Sequence, residues 1–168
     1  MRKKSGFTLI ELLVVISIVG ILSTLVLTNL NSARTKTYDA KRRSDVHQII
    51  TGIELYFAVN GSYPTASGAT RPNSAWANSS DNSWDVLASK LKPYLSDLAK
   101  DPEQSNDVTI WGQNGNAYSY INCGKSYMFV YRTKEAKGPD LGAYCGATYY
   151  RYGGLGLDTN VKTLGNQY

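Results

Sequence analysis

One acid in a long apolar run has the clearest chemistry in this sequence. From residue 7 to residue 30 the only charged side chain is Glu11. A helix over that stretch covers roughly 36 Å, enough to cross a hydrocarbon core of ~30 Å. An acid at mid-membrane depth costs on the order of 2.5–3.5 kcal/mol, less near the interface, so it requires a partner. A cut between Gly6 and Phe7 would give Phe7 a free α-amine one helical turn from Glu11. Amine and carboxylate would then neutralise each other, within one chain or between adjacent chains. Between chains, the pair would fix the stagger of packed helices. The alternative is an interfacial glutamate that reaches out to water.

The other candidate groups are few. Cys123 and Cys145 are the two cysteines. Outside the cytoplasm they are expected to form a disulfide, and two cysteines alone do not make the usual four-ligand zinc site. His47 has no second histidine or nearby cysteine, so it reads as a helix-surface or core-edge residue, and no metal site is expected. Spacing gives no nucleophile–base pair, and no glycine-rich phosphate loop follows a strand. Neither an enzyme nor a cofactor is expected. Asn60 and Asn78 head N-x-S sequons whose use the sequence leaves open.

These residues must be carried by a helix followed by a turn-rich head. All 5 prolines and 12 of the 15 glycines lie after residue 60. Residues 31–60 hold good helix formers and then an apolar stripe, Val46, Ile49, Ile50, Ile53, Tyr56 and Phe57, at spacings of three and four. The spacing predicts one helix over residues 7–59, stopped by Asn60-Gly61 with Pro64 beyond. The basic cluster from Arg34 to Arg43 reads as a solvated helix face, with Asp39 and Asp45 for local pairing. Contact with lipid headgroups or nucleic-acid phosphates is the other reading. Without Arg2, Lys3 and Lys4 the formal charge falls from +5 to +2, too little to infer nucleic-acid binding from charge.

The head reads as α+β. Residues 65–82 are expected to be a polar loop around Trp76. Asn82-Ser83 is the expected cap of a short helix through Leu91, bearing Trp84 and Leu87, with Pro93 ending it. Lys100-Asp101-Pro102 reads as a turn. Residues 117–122 and 127–132 are rich in strand formers, with Cys123-Gly124-Lys125-Ser126 between them, which predicts a hairpin. Residues 143–152 are a third strand segment. A small antiparallel sheet of three or four strands, with amphipathic faces, would cover the helix stripe. Ten of the 13 tyrosines follow Pro64, and tyrosine offers an apolar face to a core and a hydroxyl to water. The disulfide would join the end of one strand to the third.

The stretch Lys3-Lys4-Ser5-Gly6-Phe7-Thr8-Leu9-Ile10-Glu11-Leu12-Leu13-Val14-Val15-Ile16 resembles the leader and N-terminal methylation motif of type IV pilins and type II secretion pseudopilins. The passage from Tyr56 to Pro64 is similar to the helix end of the same proteins. The resemblance implies a pilin-like α+β fold. It also implies a leader over residues 1–6, a transmembrane and assembly helix over 7–30, its amphipathic continuation over 31–60, and a head over 61–168. Gly6 would precede the cut, Phe7 would become the N-methylated first residue, and Glu11 would serve subunit recruitment and register. The implied partners are a prepilin peptidase and methyltransferase, other copies of the chain and related pilins, and the inner membrane.

By the same resemblance the head lies outside the cytoplasm, first on a single-pass membrane protein and then on a surface filament. The positive-inside rule counted alone would favour the other orientation, since five basic residues follow the run closely and three precede it. Many family members have a proline late in the apolar helix; this chain has Thr28 nearby, and Gly20 as a weaker point. Pseudopilins bind calcium through acidic groups in a C-terminal loop. Here that region offers only Asp140 and Asp158, well apart, so no calcium is expected. A membrane-anchored module that never polymerises and presents its head to sugar, a surface or DNA is the other reading.

Overall fold

With no proline before Pro64, nothing in the sequence interrupts the helix, and it runs unbroken in the computed structural model. This structure describes residues 6, 8–69, 74–104, 116–135, 140, 142–150 and 160–165. Helix α1 spans Leu9–Asn60. Gly61 ends it in the left-handed conformation (φ 68°), with its N–H still bonded to the Phe57 carbonyl at 2.8 Å. A glycine takes that conformation without steric cost. The chain divides into two units, Met1–Thr37 and Tyr38–Tyr168. The described part of the first is α1 as far as Thr37 and the two residues Gly6 and Thr8 before it.

In the second unit α1 has a buried face. Asp39, Arg42, Asp45, Val46, Ile49 and Ile53 all lie on it, and Ile50, Tyr56 and Phe57 pack at its margin. The expected stripe is therefore the helix side of the main core. It meets Trp84, Leu87 and Leu91 of α2 (Ser83–Leu91) and the aromatic side chains of the sheet.

Among the described residues the main sheet has four antiparallel strands in the order β1-β2-β3-β6. They are β1 (Ala77–Asn78), β2 (Ser119–Asn122), β3 (Tyr127–Arg132) and β6 (Val161–Gly165). The predicted hairpin is β2–β3, with Tyr120 opposite Phe129 and Ile121 opposite Met128. Two expectations are corrected. The loop over 65–82 contains β1, which pairs Ala77 with Tyr120. The segment after residue 143 folds on itself as a separate pair, β4 (Ala143–Cys145) with β5 (Thr148–Tyr150), and does not join the main sheet. The fourth strand of that sheet is β6, which lies along β3 with Thr163 opposite Val130. Gly165 permits the close packing there, since a Cβ at that position would collide with the Tyr127 carbonyl and approach Ala143 to 2.8 Å.

The sheet is also not simply amphipathic. All six residues of β3 are buried. Tyr127, Phe129 and Tyr131 face the core shared with α1 and α2, while Met128 and Val130 face a second cluster with Trp76, Ala143 and Val161. A continuous apolar run such as Tyr127 to Tyr131 is what burial on both faces requires. Two of the buried tyrosines bond their hydroxyls to distant parts of the chain. Tyr120 donates to the Pro64 carbonyl at 2.8 Å, and Tyr118 to Asp45 at 3.2 Å. Burial pushes the phenols of Tyr118, Tyr120 and Tyr127 well above the ordinary tyrosine range.

At the start of α2 the cap is Asp81, not Asn82, whose side chain makes no capping bond. The Asp81 carboxylate accepts from the Ser83 N–H at 2.9 Å and from the Ser83 hydroxyl. Asn78, in the second sequon, is buried and donates to Ser119 at 2.9 Å, whereas Asn60 is exposed.

The basic cluster is corrected at one residue. Arg34, Lys36, Lys41 and Arg43 are exposed, but the Arg42 side chain is wholly buried. Its guanidinium donates to Asp39 at 2.9 Å, to both oxygens of Asp101 at 2.8 and 3.0 Å, and to Glu103 at 2.8 Å. The bond to Asp101 is the two-pronged pairing that suits a planar guanidinium. The Lys100-Asp101-Pro102 turn is thus tied to α1 through its acid. Burial opposes the charge on Arg42, but the bonds to Asp101, Glu103 and Asp39 outweigh it and hold its pKa above the ordinary arginine value.

Candidate processing and assembly segment

Helix α1 opens on a reciprocal pair of side-chain bonds. Thr8 stands just before Leu9 and accepts the Glu11 N–H on its hydroxyl oxygen at 3.3 Å. One oxygen of the Glu11 carboxylate accepts both the Thr8 N–H and the Thr8 hydroxyl at 2.8 Å. This is a capping box, Thr-x-x-Glu, in which two orphan N–H groups of the first turn find partners. Its signature, Thr8-Leu9-Ile10-Glu11, is present in the sequence. Gly6 is exposed. Phe7, and with it the α-amine proposed for Glu11, lies outside the described residues.

Beyond Glu11 the helix is apolar on every side. Leu12, Leu13, Val14, Val15 and Ile16 are consecutive, so they circle the axis, and each is between 51% and 59% exposed. A helix apolar all round needs an apolar surrounding. Among the described residues this is the one helix long and apolar enough to cross a membrane. Its polar side chains are silenced locally. Ser17 donates to the Leu13 carbonyl at 2.8 Å, Ser23 to Val19 at 2.7 Å and Thr24 to Gly20 at 3.1 Å. Such bonds satisfy hydroxyl groups where no water is available.

The remaining sequence-derived residues fall elsewhere. Cys123 and Cys145 are bonded, with their Cα atoms 4.8 Å apart. The bridge joins the β2–β3 turn to the last residue of β4, as expected for strand end and third strand. His47 is exposed on α1. Asp140 is buried, and its carboxylate accepts the Thr163 N–H at 2.7 Å and hydroxyl at 2.9 Å, which fastens it to β6. Asp158 lies outside the described residues.

Comparison with known proteins bears on this arrangement. Residues 1–27 match the family model described as the prokaryotic N-terminal methylation motif. The chain carries that motif on a pilin-like α+β fold. Its homologues include the type II secretion system core protein G of Vibrio cholerae, 29% identical over 157 residues that cover 88% of this chain and 90% of that one. The protein of the same name from Aeromonas hydrophila is 42% identical over 64 residues, 38% of this chain and 45% of its own length. The type IV wide pilus major component PilA4 of Thermus thermophilus is 38% identical over 69 residues, 41% of this chain and 53% of that one. No solved structure matches significantly. The capping box and the apolar turns from Leu12 to Thr24 lie within the matched residues.

Proposed function

We propose that this chain is a prepilin, a structural subunit cut between Gly6 and Phe7, methylated on Phe7, and polymerised through α1 into a pilus or pseudopilus-like filament. The observation that carries the reading is the methylation motif on a helix whose first turns are apolar on all sides, with Glu11 as the one charge up to residue 30. In this reading residues 1–6 are a leader recognised by a prepilin peptidase and methyltransferase, and residues 7–30 hold the subunit in the inner membrane before assembly. Residues 31–60 continue the helix into the head, and residues 61–168 face away from the cytoplasm. The disulfide supports that placement, since such bonds persist in oxidising compartments. Glu11 would pass from its Thr8 bonds to an α-amine exposed by the cut. The near-full-length alignment with a secretion-system protein supports the pseudopilus kind of filament.

Mass spectrometry of the protein recovered from filaments tests the proposal. The expected N-terminus is Phe7 carrying one added methyl group. Recovery of surface protein with residues 2–6 intact would overturn it. Glu11→Gln is expected to leave processing unchanged and to reduce filament incorporation sharply.

A further inference from the structure

We propose that the buried cluster around Arg42 is an ionisation-dependent clasp, with Glu103 as its trigger, that opens locally in acid while the aromatic core stays closed. Three separate pieces of chain meet in it. Helix α1 supplies Asp39 and Arg42, the turn after α2 supplies Asp101 and Glu103, and the segment after β3 supplies Lys134 and Glu135. Asp39 accepts the backbone N–H groups of Lys134 at 2.9 Å and Glu135 at 2.8 Å. Glu103 takes the Arg42 guanidinium on one oxygen and the Lys134 ammonium on the other, at 2.8 and 2.7 Å. It is therefore the link between the two cations, and hence between the two loops.

The burial of the three acids differs. The side chains of Asp101 and Asp39 are 0% and 3% exposed, whereas Glu103 is 24% exposed. Of the three, Glu103 is the one open to solvent. Burial alone would raise its pKa, but the bonds from Lys134 and Arg42 hold it below the ordinary glutamate value. The ionised form is the one the fold binds, so this contribution is present above the ordinary value and is lost as pH falls through the lowered one. Protonation would release Lys134 and leave Arg42 buried with fewer anions, a costly arrangement. The other groups facing the cluster do not replace Glu103. Asp45 is held by Lys41 at 3.2 Å and by the Tyr118 hydroxyl. Tyr131 senses Asp39 and Arg43 through space. Asn116 reaches Glu103 only at its backbone carbonyl.

Opening is expected to stay local because the rest of the head is held by different forces. Val46, Ile49 and Ile53 of α1 pack on Trp84, Tyr118 and Phe129 without using the cluster. Units of unequal stability open separately.

Hydrogen exchange on the full chain in detergent micelles tests the clasp, with rates corrected for intrinsic pH dependence. As pH falls from 7 to well below the ordinary glutamate range, amides of Glu103, Lys134 and Glu135 are expected to lose roughly tenfold or more of their protection. Those of Phe129 and Tyr131 are expected to keep theirs. Glu103→Gln should show the loss already at pH 7, and Asp97→Asn, at an exposed acid, should not. The proposal is overturned if the three amides ignore pH, if E103Q behaves as D97N, or if β3 loses protection together with the loops.

Discussion

The first turns of α1 and its last turns are one helix made for two surroundings. Around residues 9–24 each large apolar side chain is exposed, and the hydroxyls of Ser17, Ser23 and Thr24 are bonded within their own helix. From Asp39 onward one face is buried, and its polar groups find partners far away in sequence, as Arg42 does in Asp101. The first region is finished locally and needs an outside medium to cover it. The second is finished only when the head has folded. Single substitutions should therefore act on different properties in the two regions.

The largest contrast is expected at Arg42. Arg42→Met removes a buried cation and leaves Asp39 and Asp101 facing each other without it. Breaking a buried pair in this way costs about 3–5 kcal/mol, read as a fall in the head's denaturation midpoint. No substitution of an exposed apolar residue in the first region should approach that. A loss below about 1 kcal/mol would mean that the cluster behaves like surface charge.

Apolar truncation gives the next step. Ile53 is fully buried and Ile16 is 56% exposed. Ile53→Ala should destabilise the head by about 2–5 kcal/mol. Ile16→Ala should leave its stability within about 0.5 kcal/mol and act instead on membrane retention or filament assembly. Equal effects on head stability would break the distinction.

Reducing Cys123–Cys145, which closes a sequence separation of 22 residues, should cost about 3 kcal/mol by the chain-entropy estimate. The measurement is the thermal midpoint with and without reductant, using Cys123→Ser/Cys145→Ser as the control that no longer responds. High pH should act on the head in the same direction. Its buried tyrosines hold their protons, whereas an unfolded chain ionises at about pH 10. Their contribution is present below that value and is lost as pH rises above it. The far-ultraviolet signal of the apolar helix should outlast that of the sheet in an alkaline titration.

What the sequence disclosed follows the same division. Helix α1 was legible because it depends on local facts, an absence of proline and a glycine stop. The β2–β3 hairpin was legible from its dense run of strand formers. The burial of Arg42 was not, because two of its three acidic partners lie 59 and 61 residues away and the residue sits among four exposed basic neighbours. Strand β6 was missed although Val161 and Thr163 alternate with Lys162, since five residues carry little periodic signal. Strand β1 has two residues and exists only through its pairing with β2. In the assembly segment the unusual charge was seen, but the Thr8–Glu11 box was overlooked because an acid in an apolar run invites a search for a cation.

That box supplies the smallest and most local test. Thr8→Ala removes the hydroxyl that donates to Glu11 and accepts its N–H, and leaves the Thr8 N–H bond to the carboxylate intact. Losing a cap of this kind costs about 1 kcal/mol. The effect should be confined to the first turn, where the amides of Glu11 and Leu12 exchange faster in micelles. Thr8→Ser keeps the hydroxyl and should restore wild-type exchange, which separates the hydrogen bond from the methyl group. The head's denaturation midpoint should not move in either variant. If it does, the start of α1 and the head are energetically coupled, and the local character assigned to the first region fails.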